Sequence, residues 1–234
     1  MKEANMSASG EGYGETRGHR GYSGGDPSAL ASELAYVRSL AEEGRDAPLI
    51  GGVYYVLWGG LMGAAALVAF FILTGTLSLG PAGPFIPWVV AGLCGWGLSM
   101  TLGRRAGGKP GSLSLGNRTS SATWFAVGVF MTLFWLALVF VHDNFIGAGV
   151  PPYFLFSFMF PIAFGVYGVA FYASAVAARA DWLKLFAFLS WGFSIATLFF
   201  SGNVYQFLIG SAGCFACAAL PGVLLMRGEP KDIV

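Results

Sequence analysis

Basic residues are missing from three of the gaps that separate this chain's long apolar runs, and the interiors of the runs carry no Asp, Glu, Lys or Arg at all. The second absence removes the usual markers of an ion path or proton relay through a membrane. Charge is scarce everywhere: 11% of residues are charged against 56% hydrophobic and 16% aromatic, with mean hydropathy +0.66. A soluble domain of 234 residues needs far more charge to cover its surface, so the composition is that of a membrane protein. A net charge of +1 offers nothing to nucleic acid. All three cysteines fall within apolar runs, which leaves no external disulfide to expect. The N-terminal stretch lacks an apolar h-region, so no cleavable signal peptide is read there.

What is present is six apolar runs, at residues 51–74, 85–102, 122–142, 153–178, 184–201 and 204–226. Each has the roughly 18–25 residues that cross a ~30 Å hydrocarbon layer. The 13 Lys and Arg residues fall only in alternate gaps: Lys2 to Arg45, then Arg104, Arg105, Lys109 and Arg118, then Arg179 and Lys184, then Arg227 and Lys231. Basic residues beside spans are retained on the cytoplasmic side. The expected topology therefore has both termini cytoplasmic and short external connections near 79–84, 143–152 and 202–203. The expected fold class is all-α and polytopic, with six transmembrane helices arranged as three antiparallel hairpins. Trp58 and Trp191 at similar depth hint at a parallel threefold repeat, but two apolar helices match by chance often and a chance match fits better.

Residues 1–29 are rich in Gly, Ser and charge and read as a disordered cytoplasmic tail; Arg17 to Tyr22 bears a faint likeness to RG-rich tails, but a plain solvated tail fits better. Residues 30–50 read as an amphipathic cytoplasmic or interfacial helix with its linker. Asp26-Pro27 is a good helix start, Leu30, Leu34, Val37 and Ala41 recur at spacings of three and four, and Gly44 suits a C-terminus. This helix lies on lipid or on protein, and its near-neutral charge disfavours anionic headgroups. Residues 51–226 form the transmembrane domain and 227–234 a cytoplasmic tail.

Close helix approach in lipid depends on small residues, and three sets stand out: Gly59 with Gly63, Ala170 with Ser174 and Ala178, and Ala212 with Ala216. Pro161 removes the donor that would reach the Ser157 carbonyl, so a kink is expected there, a candidate gate but more often a static packing feature; Pro221 does the same to Cys217. Cys214 and Cys217 form a CxxC inside an apolar helix and fit best as small buried residues. His142 and Asp143 form a weak external polar site at the end of the third span, short of the ligands a metal needs. No metal or other cofactor is expected. Asn117-Arg118-Thr119 matches a glycosylation sequon on the wrong side of the membrane for its use. Tyr54, Tyr55, Trp124 and Trp182 are expected at the inner interface, and Trp88, Tyr153 and Tyr205 at the outer. The deeper Trp58, Trp96, Trp135 and Trp191 need partners for their indole N–H groups, such as Ser99, Ser190, Ser194 or a freed carbonyl.

Two stretches, Tyr36 to Gly44 running into Ala47-Pro48-Leu49-Ile50-Gly51-Gly52, and Pro221 to Val234, resemble a group of six-span bacterial inner-membrane proteins of unassigned function. The resemblance covers about 28 residues. It implies a bacterial source, says nothing of activity, and suggests that residues 34–44 and 226–234 meet at the inner face. With no nucleophile, base and oxyanion donor assembled at either face, an enzyme is not expected. The expected function is an accessory or scaffold component that binds a membrane-protein partner, or a second copy, through a charged inner face including Leu34, Val37, Arg38, Arg104 and Arg105. The alternative is a carrier or channel for a small neutral or apolar solute.

Overall fold

The computed structural model of the chain describes residues 27–45, 47–80, 82–106, 108–151 and 154–229; side chains at 27, 29, 40–45 and 104–106 fall outside that description. The described residues are helical and contain no strand. The chain divides into two compact units, 1–40 and 41–234.

Helix α1 spans Pro27–Arg45 and supplies all that is described of the first unit. It has the start and length the sequence implies, although Gly44 lies inside its last turn rather than beyond it. Leu30, Leu34, Tyr36 and Val37 are all exposed on it, at 51%, 70%, 65% and 60%.

In the second unit, α2 spans Gly52–Leu73, α3 Ile86–Ala106, α4 Leu115–Gly147, α5 Met159–Ala177, α6 Leu183–Phe199, α7 Tyr205–Cys214 and α8 Leu220–Gly228. A 3₁₀ turn at Leu155–Phe158 leads into α5, and a π turn at Phe215–Ala219 joins α7 to α8. Five continuous helical segments are long and apolar enough to cross a membrane; α6, with 17 residues, is shorter. Large apolar side chains point outward along them, among them Leu93, Met100, Phe140, Leu185 and Phe199. Such a surface is stable against lipid and not against water. The molecule is a multi-pass membrane protein.

The helices of the first two expected hairpins, α2 with α3 and α4 with α5, are in contact, but the most extensive packing lies outside those pairs. Helix α5 packs along α6, and α2 packs along α7, the π turn and α8, closing the first apolar helix against the last. Glycines set that closure. A Cβ on Gly59 would lie 2.5 Å from the backbone nitrogen of Ala219, and one on Gly52 would lie 2.5 Å from the Gly222 carbonyl oxygen. With no strong hydrophobic drive between helices in lipid, approach at backbone distance supplies the contact. Gly63 serves the same face, its carbonyl accepting from Ser211 Oγ at 2.8 Å. Of the other small-residue sets, Ser174 bonds Ser120 of α4 (Oγ to Oγ, 3.0 Å) and Ala178 meets Gly116, whereas Ala212 is exposed.

Helix α4 departs most from expectation. It has 33 residues, about 50 Å at 1.5 Å per residue, and extends past the expected 122–142 at both ends. Ser114 caps its start by accepting from the Asn117 N–H, so the connection expected over 103–121 shrinks to about 107–114.

Two buried clusters fill the interior. One joins Leu49, Phe171, Ala175, Leu183, Phe186 and Leu225 with Tyr55 and Trp124; the other joins Ala66, Phe160, Phe164, Cys214 and Cys217 with Trp88. The first contains residues that flank the linker, the α5–α6 turn and the end of α8, so these segments share one end of the bundle. At the other end Phe85 meets Phe156 (5.2 Å between rings), and Phe156 meets His142 (5.8 Å).

Candidate functional site

The end of the bundle that gathers the basic connections is held by two buried polar side chains. Glu229, immediately after α8, turns back to the start of α2. Its Oε1 accepts from the Gly51 N–H at 2.9 Å and the Gly52 N–H at 2.7 Å. Its Oε2 pairs with Lys109 Nζ, from the connection before α4. Helix α2 has no side-chain cap of its own, and its first N–H groups carry the positive end of the helix dipole. A carboxylate there satisfies two orphan donors at once. Gly51 makes the arrangement feasible: at φ +118° it sits where L side chains rarely go, so two successive N–H groups converge on one oxygen. Burial pushes the Glu229 carboxyl up, but the Lys109 ammonium and the Gly52 and Gly51 N–H groups outweigh it and hold the group below the usual glutamate value.

Asn117, 3% exposed, ties the same region from α4. Its Oδ1 accepts from the Ile50 N–H at 2.7 Å, while Nδ2 donates to the Pro48 carbonyl at 2.9 Å, the Gly111 carbonyl at 3.0 Å and Ser114 Oγ at 3.1 Å. This amide is fully used, which shuts the sequon as a modification site and makes Asn117 the fastener of the linker. Together Glu229 and Asn117 fix residues 48–52, the segment leaving α1, against the 109–114 connection. Neither role was legible from spacing, since 178 positions separate Glu229 from Gly51. The one available signal was that the two stretches singled out by resemblance, 47–52 and 221–234, are the ones Glu229 joins. The expected meeting of 34–44 with 226–234 falls partly outside the described residues.

The sequence-predicted partner residues divide accordingly. Leu34, Val37 and Arg38 lie on α1, with Leu34 and Val37 exposed. Arg104 and Arg105 close α3, and their side chains are outside the description.

His142 and Asp143 do not end their helix, which runs on to Gly147. Asp143 is 98% exposed and His142 Nδ1 lies 3.3 Å from its Oδ1. Among the described residues no three His, Cys, Asp or Glu side chains group as a metal site would require.

Pro161 lies in the first turn of α5, just after the 3₁₀ turn, rather than at mid-span. Its surroundings are occupied. Gln206 Nε2 donates to the Ser157 carbonyl at 2.6 Å and the Thr197 carbonyl at 2.8 Å, and Ser194 Oγ donates to the Pro161 carbonyl at 2.6 Å. Phe160 and Phe164 fill the space over Gly210 and Gly213. Pro221 is accommodated by the π turn, in which the Leu220 N–H reaches back to the Phe215 carbonyl. Cys214 and Cys217 are buried free thiols at that turn.

Two of the deep tryptophans find partners on neighbouring helices: Trp58 Nε1 donates to Ser99 Oγ and Trp191 Nε1 to the Gly165 carbonyl, both at 3.1 Å. Tyr55 and Trp124 face the interior of the bundle. Each packs edge or face against Phe171 inside the bundle, and Tyr55 Oη and Trp124 Nε1 have no hydrogen-bond partner among the described residues. Trp88 likewise packs on Phe160 and Phe207. Tyr153, expected in the outer belt, lies outside the described residues. A shallow apolar hollow of about 160 Å³ lies on α6, lined by Leu189, Gly192, Phe193 and Ala196. No family model matches this chain, and the comparisons with curated proteins and with solved structures found no match either.

Proposed function

We propose that this protein is a non-enzymatic accessory or scaffold component of a bacterial inner membrane, with six spans in three hairpins, both termini cytoplasmic, and α1 as an amphipathic element that binds a partner. The observation that carries the reading is the row of exposed Leu30, Leu34 and Val37 on a 19-residue helix. An apolar stripe of that length is stabilised by covering it. Leu34, Val37 and Arg38 then make the contact, with Arg104 and Arg105 adding charge on the same side of the membrane. Counting α6 as a span rests on its 17 mostly apolar residues, about 25 Å long.

The test is purification in mild detergent from the native membrane. A stoichiometric co-purifying membrane protein, reduced in an Arg104→Ala, Arg105→Ala sample, is the expected result. Repeated purification with no other protein in either sample overturns the accessory reading.

A further inference from the structure

We propose that the partner of α1 is a second copy of this chain, bound through a parallel helical coiled coil; the inference rests on the partner-binding reading of α1 and names its partner. The apolar positions Leu30, Leu34, Val37 and Ala41 are separated by four, three and four residues, which is the spacing of heptad d, a, d and a positions. Leu30, Leu34 and Val37 are exposed along the seam. In this register Glu33 falls at g and Arg38 at the following e.

That placement gives the direction. In parallel strands a g residue faces the e residue five positions on in the neighbouring strand, so Glu33 meets Arg38 of the second copy, and by symmetry the pair forms twice. In antiparallel strands g faces g and e faces e, which sets glutamate against glutamate and arginine against arginine. The charge pattern therefore favours the parallel sense. A stripe of two heptads is too short to associate firmly as free peptide. Confinement to a membrane removes this obstacle, because tethering raises the effective concentration of one helix around another. The net acidity of the segment, with Glu33, Glu42 and Glu43 against Arg38 and Arg45, argues against anionic lipid as the covering surface.

The experiment uses the full chain in its native membrane with Cys94→Ser, the exposed cysteine, replaced and the two buried cysteines left in place. Single cysteines are introduced one at a time as Leu30→Cys, Leu34→Cys and Val37→Cys, with Ser32→Cys and Ser39→Cys at the outward f positions as controls, and the membranes are oxidised. All three seam positions are expected to give disulfide-linked dimers and the f positions none. Failure at Leu30→Cys, which antiparallel strands would place opposite Ala41 rather than opposite itself, overturns the proposal, as does absence of cross-linking at all three seam positions or equal cross-linking at the f positions. In the Leu34→Cys background, Glu33→Arg is expected to lower dimer yield about fivefold and the double exchange Glu33→Arg, Arg38→Glu to restore it; an unchanged yield in the single variant overturns the register. Cross-linking without any co-purifying foreign protein upholds this inference while the accessory reading falls. A co-purifying foreign protein, with no seam cross-links, does the reverse.

Discussion

Gln206 Nε2 donates to the Ser157 carbonyl oxygen at 2.6 Å, and that oxygen is the one Pro161 leaves without its helical donor. A polar side chain of α7 thus repairs the backbone of α5. The same nitrogen reaches the Thr197 carbonyl of α6, so one amide joins three helices at the end of the bundle away from the basic connections. A proline in a membrane helix is tolerated where such a donor exists.

Replacing this amide should therefore be costly for its size. Gln206→Met removes both bonds while keeping length, and is expected to destabilise the protein by about 1–3 kcal/mol, the loss from two buried carbonyls left without donors. Pro161→Ala restores an N–H for Ser157, so in that background the loss on Gln206→Met should shrink. Unfolding by SDS titration in mixed micelles measures both; an equal loss in the two backgrounds would show that Gln206 does not act through Ser157.

Glu229 predicts an acid-sensitive closure. Its carboxyl is held below the ordinary value of 4.5, so the unfolded chain binds more protons than the folded one between the two values. Stability from this group is fully present above about pH 4.5 and declines as pH falls toward the folded value. Glu229→Gln should flatten that part of the stability profile and cost about 1–2 kcal/mol at neutral pH, since an amide oxygen still accepts from Gly51 and Gly52 but leaves Lys109 unpaired. Thermal unfolding in detergent from pH 4 to 7 reads both effects.

Helix α2 separates glycines that are required from those that are not. Gly59→Ala would press a methyl to 2.5 Å of the Ala219 nitrogen, which is backbone and gives little, so a loss of about 1–3 kcal/mol is expected. One residue on, Gly60→Ala meets nothing within 4 Å and is expected to be neutral or to stabilise by up to about 1 kcal/mol through helix propensity. Melting temperatures of the two variants in one detergent should move in opposite directions or differ by several degrees.

The orientation of the bundle is open to a labelling experiment. In a Cys94→Ser background, Leu79→Cys should react with a membrane-impermeant maleimide in intact cells and Lys109→Cys only after permeabilisation. The opposite pattern would turn the Glu229 and Asn117 fastening, and α1 with it, to the outside.

Composition and periodicity by themselves settled that this is a helical, multi-pass membrane protein and roughly where its helices lie, because transfer of uncharged runs into hydrocarbon is decided locally, residue by residue. The orphaned carbonyl at Ser157 was also legible, since proline chemistry is local. The early start of α4 was only partly so: Ser114 caps it locally, but Asn117 in its first turn is held by Pro48 and Ile50, far along the chain, which no local pattern reveals. Nor were the closure of α2 on α8, the pairing of Glu229 with Lys109 and Gly52, or the burial of Tyr55 and Trp124 among aromatic rings. Those depend on which small residues permit two backbones to touch and which buried polar atoms find partners, and both are properties of the assembled bundle.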